Sequence, residues 1–133
     1  MPTGIINGSA ARYNVTKKRK PPEPIVIAEE VQRAVAVGFT EADQPAALAA
    51  LKRYNGLSET DRVLRAILAL SDGNLAELEA MVGEANKDYR DVLYWAESPE
   101  SSTVGTEKQK QMAARKMAVR WRRFGLQVPF TEK

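Results

Sequence analysis

The sequence predicts an all-α fold, a single-domain bundle of about five helices behind an extended, basic N-terminal arm. Three observations carry that prediction. Apolar residues recur at spacings of three and four through most of the chain. Glycine, proline and asparagine interrupt that rhythm at the intervals expected of short helix connections. The 133 residues are a one-domain length, and a chain near that size buries roughly 70% of its unfolded surface.

Residues 1–24 form the expected arm. Gly4, Asn7, Gly8 and Asn14 break regular structure, and Pro21, Pro22 and Pro24 favour an extended path. The helical domain then spans 25–133. Its first helix is expected over roughly 26–37, with Gly38 as a stop; Ile25, Val26 and Ile27 are β-branched, but no partner strand follows. The second begins near Thr40 or Asp43, keeps Pro45 in its first turn and runs to Asn55 before Gly56. The third opens at Ser58, with Asp61 placed as a capping-box partner, and closes at Gly73.

The fourth helix has the clearest pattern. Asn74 caps it, Glu77 completes a capping-box-like arrangement, and Leu75, Leu78, Val82, Ala85, Tyr89, Val92 and Ala96 make a heptad-like seam. Pro99 is read as its end, followed by a serine-rich loop. Thr106 with Gln109 starts a fifth helix, basic and amphipathic, over about 107–124.

The chain has no cysteine and no histidine. Disulfides, thiolate nucleophiles, Cys/His zinc sites, histidine-based triads and imidazole pH switches are therefore excluded. No apolar run approaches the roughly 20 residues of a membrane span, and the N-terminal charges follow the apolar residues, the reverse of a secretory signal. A cytoplasmic protein without membrane attachment is expected.

Charge is distributed unevenly. Residues 1–20 carry Arg12, Lys17, Lys18, Arg19 and Lys20 and no acid, a net +5. Residues 21–106 hold fifteen acids against seven bases, a net −8, and residues 107–133 return to +6. An acidic body thus lies between two basic ends.

On a helical wheel Glu77, Glu84, Asp88 and Asp91 fall within about 60° of one another, with Trp95 in the same stripe. Such a stripe is a solvated face, a dock for a basic element, or a foothold for a hard cation. A helix face alone seldom closes a coordination sphere, so no metal and no cofactor is assigned. The fifth helix is the natural counterpart: Met117, Trp121 and Phe124 form an apolar strip, and Lys108, Lys110, Arg115, Lys116, Arg120, Arg122 and Arg123 surround it. Tyr94 and Trp95 need covering by the arm or the fifth helix, or else form an aromatic contact site.

No catalytic residue is assigned, since no serine, threonine, lysine or tyrosine has an identifiable activating neighbour. The first expectation is a non-enzymatic protein–protein interaction or assembly module. Its interaction candidates are Glu77, Glu84, Asp88, Asp91, Trp95, Arg115, Lys116, Arg120 and Arg123, and its partner is another protein or a second copy. The alternative is a nucleic-acid-associated protein using Arg12, Lys17, Lys18, Arg19 and Lys20 with Lys108 and Lys110. A divalent-cation-dependent enzyme built on the carboxylate stripe comes third. The placement of the fifth helix separates them: bases laid on the acidic stripe make an internal clasp, and bases turned outward favour nucleic acid.

Overall fold

Helix α3 (Thr60–Ser71) is apolar around most of its circumference, and a helix of that kind has to be wrapped by others. Val63, Leu64, Ala66, Ile67, Leu68 and Ala69 are all buried, and α1 (Glu29–Gly38), α4 (Leu75–Glu97) and α6 (Glu107–Arg123) pack around them. Helix α2 (Gln44–Leu51) lies on α1 and α4, and the four-residue α5 (Pro99–Ser102) bridges α4 and α6. The computed structural model describes residues 25–56 and 58–132, all-α with no strand among them. The expected arm, with Arg12 and Lys17 to Lys20, lies outside the described residues.

The seam of α4 is built as the spacing predicts. Leu78, Val82, Ala85 and Val92 are buried, and Tyr89 packs half-buried against the same core. Asn74 caps the helix by accepting the Glu77 amide at 2.8 Å, but Glu77 does not complete the box, because the Asn74 amide donates to the Ser71 carbonyl at 2.9 Å. Ser71, a polar residue buried within the core, is satisfied locally: its hydroxyl donates to the Leu68 carbonyl at 2.7 Å and accepts from the Gly73 amide at 3.3 Å.

Several boundaries differ from the sequence-based expectation. Residues 25–28 are not helical, Ala28 is extended, and α1 starts only at Glu29; the Gln32 side-chain amide donates to the Ile27 carbonyl at 2.8 Å and holds that entry segment. Helix α2 stops at Leu51 rather than Asn55, because Asn86 of α4 takes over the backbone there. Its side chain accepts the Asn55 amide at 2.8 Å and donates to the Arg53 carbonyl at 3.0 Å. Helix α3 begins at Thr60, so the Ser58–Asp61 capping box does not form. Buried Tyr54 instead holds the Ser58 carbonyl at 3.0 Å, and Glu59 enters the helix in the left-handed region. Beyond α4, Pro99 opens the short helix α5 rather than a loop, as a proline can at a first helical position.

The largest departure lies inside α4, where Asp88 has φ −159° and ψ 102° and breaks the helix. Its carboxylate accepts the Arg90 amide at 3.0 Å, two residues on, which is how an N-cap residue starts a helix. Asp88 therefore caps the second half of α4.

The ends of α1 and α6 meet without room to spare. Gly38 has no left-handed φ; its missing side chain serves the Phe124 ring, on which an added Cβ would land. The Phe39 ring closes the junction, 5.8 Å from Phe124 and tilted by 48°. Gly38→Ala should therefore cost about 1–3 kcal/mol through overpacking. Gly83→Ala is the control: no atom lies within 4 Å of its added Cβ, on the exposed side of α4. That change should raise stability by about 0.5–1 kcal/mol through helix propensity. Urea unfolding midpoints measure both, with opposite signs expected.

Candidate functional site

Helix α6 starts with a complete capping box. The Thr106 hydroxyl accepts the Gln109 amide at 3.1 Å, and the Gln109 side chain accepts the Thr106 amide at 2.8 Å. On its inner face the small Ala114 and Ala118 let the helix approach closely, Met117 packs half-buried on the core, and Trp121 and Phe124 fill the core at the helix end. The Trp121 indole N–H donates to the Ala96 carbonyl at 2.9 Å. Arg120 does the same for α3, donating to the Leu70 carbonyl at 3.1 Å. Both acceptors lie in the last turn of a helix, where carbonyls lack intrahelical partners. The end of α6 thus closes the open ends of two other helices.

That docking fixes which way the charges point. With Trp121 inward and about 100° per residue, Met112 and Val119 form the outermost ridge, 48% and 57% exposed. Lys108, Arg115 and Arg122 run along one flank of the ridge, with Lys116 and Arg123 along the other. Lys108, Arg115 and Lys116 are exposed and have no carboxylate partner among the described residues. Lys110 is half-buried toward the inner side.

The remaining arginines are engaged, though not by the α4 stripe. Arg123 donates to Asp72 at 2.8 Å, Arg120 lies 4.0 Å from the same carboxylate, and Arg122 pairs with Glu132. Asp72 sits at the C-terminal cap of α3, with φ 52°. The expected clasp of α6 on Glu77, Glu84, Asp88 and Asp91 is replaced by this contact at the α3–α4 turn.

The break at Asp88 also takes apart the acidic stripe. Asp88 holds the Arg90 side chain at 3.0 Å, and that contact keeps its carboxyl below the ordinary value. The stabilising effect of this cap is therefore complete above the usual carboxylate range and is lost as pH falls through the lowered value. Glu84 meets Lys87 at 3.5 Å, and Asp91 is exposed beside Arg90. Glu77 is exposed in the first turn of α4, where its charge favours the helix dipole. Among the described residues no three acidic side chains gather as a metal site would need. Trp95 packs half-buried on the core, and Tyr94 stays exposed with its hydroxyl donating to the Ser101 carbonyl at 2.8 Å.

One cavity of about 550 Å³ lies between Glu30, Arg65, Glu97, Trp121 and Phe130. Its charged groups already serve the fold. Arg65 pairs with Glu30 at 3.1 Å, and Arg62 grips Glu97 with two donors, at 2.6 and 2.9 Å. Those bonds, helped by Glu59, raise the Arg62 pKa further above its ordinary value. Tyr54 is held toward its neutral form by burial, and its hydroxyl is committed to a carbonyl.

Sequence reasoning missed Asp72, Glu132, Met112 and Val119. The Asp72-Gly73 pair at the end of an apolar run was a helix-stop signal, and such a stop gathers free carbonyls that attract cations. No family model, curated protein or solved structure matches the chain.

Core filling, rather than ion pairing, should hold α6 in place. Trp121→Ala should cost about 3–5 kcal/mol, as large aromatic truncations do. Arg122→Ala, at an exposed pair, should cost no more than about 1 kcal/mol. Equal losses in urea unfolding would contradict this docking.

Proposed function

We propose that this chain is a non-enzymatic helical interaction module, cytoplasmic in setting, that acts through the outward face of α6. One observation carries the reading: Lys108, Arg115 and Lys116 lie exposed, with no carboxylate partner among the described residues, beside an exposed Met112–Val119 ridge, on a helix whose opposite face is locked into the core. Cations left over on a rigid helix offer an anionic partner a preformed backbone, so the ordering cost of binding falls on their side chains alone. The acidic candidates support a partner role less well, because Asp88 caps a helix and Glu84 faces Lys87.

The partner expected is a polyanion. Fluorescence anisotropy with labelled poly-glutamate and labelled duplex DNA tests this at about 10 mM salt, where the Debye length reaches about 30 Å. Binding to at least one probe is expected, weakened at least tenfold by combined Lys108→Gln, Arg115→Gln and Lys116→Gln. Failure to bind either probe would overturn the reading.

A further inference from the structure

Resting on that reading, we infer that the outward face of α6 takes duplex DNA, seated in the major groove and gripping phosphates on both walls without regard to base sequence. The helix offers two rows of cations, Lys108, Arg115 and Arg122 on one side and Lys116 and Arg123 on the other, with the ridge of Met112 and Val119 between them. At 1.5 Å per residue the first row places a charge about every 10.5 Å along the axis. The B-form major groove is about 12 Å wide and admits an α-helix, so a ridge flanked by cations meets a backbone on either side. The deep, narrow major groove of A-form RNA does not admit one.

Three further features favour phosphate over an acidic protein. From Lys108 to Arg123 the helix has seven bases and no acid, the unbroken single-sign charge that counterion release from a phosphate backbone rewards. Such interfaces also rest on aromatic anchors, and both large aromatics of this helix, Trp121 and Phe124, are turned into the core. The pairs made by Arg122 and Arg123 are half-exposed and weak, so both arginines can turn to phosphate when it arrives. Base reading is not expected. The ridge carries no asparagine, glutamine or arginine, and Gln109 is held in the capping box.

The test compares three labelled probes against the full chain: duplex DNA of mixed sequence, duplex RNA of equal length, and poly-glutamate. DNA should bind most tightly, and equally well after its sequence is shuffled. Combined Lys108→Gln, Arg115→Gln and Lys116→Gln should weaken DNA binding at least tenfold and flatten the plot of log affinity against log salt by about 2.7, from three lost contacts at about 0.9 each. The charge-preserving set Lys108→Arg, Arg115→Lys and Lys116→Arg should keep both affinity and slope. Preference for poly-glutamate, or RNA bound as tightly as DNA, would overturn the DNA assignment and leave the interaction reading standing. DNA binding that the glutamine set leaves unchanged would place the contact elsewhere on the chain and overturn the assignment. No binding to any probe would overturn both.

Discussion

The contact between the Trp121 indole and the Ala96 carbonyl sets the terms for the rest of the molecule. It places the largest side chain of α6 in the core and gives a partner to a carbonyl that the end of α4 leaves open. Once that ring is fixed, the helix has no rotational freedom. Arg120 then reaches the Leu70 carbonyl, Phe124 meets Gly38 and Phe39, and Lys108, Arg115 and Lys116 face away from the core. The outward cationic surface follows from the burial of one tryptophan.

Charge plays a different part in the two halves of the molecule. Within the acidic body, ion pairs are local and tie neighbouring elements: Arg62 joins α3 to the end of α4, Arg65 joins α3 to α1, and Arg53 reaches Glu79. These half-exposed contacts orient more than they stabilise. Helix α6 follows another rule. Its engaged arginines sit toward its C-terminal end, near Asp72 and Glu132, while Lys108, Arg115 and Lys116 along the rest of its outer face are left to solvent. An acidic body with a rigid cationic edge gives the molecule a strong charge asymmetry.

Much of the fold was legible because its signals are local. The Asn74 cap, the Thr106–Gln109 box and the Leu78–Val82–Ala85 spacing each depend on residues within two helical turns, and each appears in the structure. Some misses have long-range causes, and others, at Tyr54–Ser58 and Asp88–Arg90, turn on nearby side chains that take over the backbone. Asn86, more than thirty residues away in sequence, ends α2, and Gly38 is small because of the phenylalanine that caps the end of α6. A wheel assumes an unbroken helix, so it aligned Asp88 with Glu84 and Asp91 where the backbone in fact restarts. For the candidate site, the cations of α6 were legible as a set, but their direction was not. That depends on Trp121 finding a carbonyl that only the folded chain presents.

The central claim is that this buried indole locks α6 and thereby aims its cations. Exchange of the Trp121 indole proton with solvent deuterium, followed by NMR, tests it most directly. A proton bonded to the Ala96 carbonyl inside the core should exchange only through large-scale opening, orders of magnitude more slowly than an exposed indole. Its rate should track global stability as urea is added. Rapid exchange in water, insensitive to low urea, would show that α6 is not held by its tryptophan and would contradict the account.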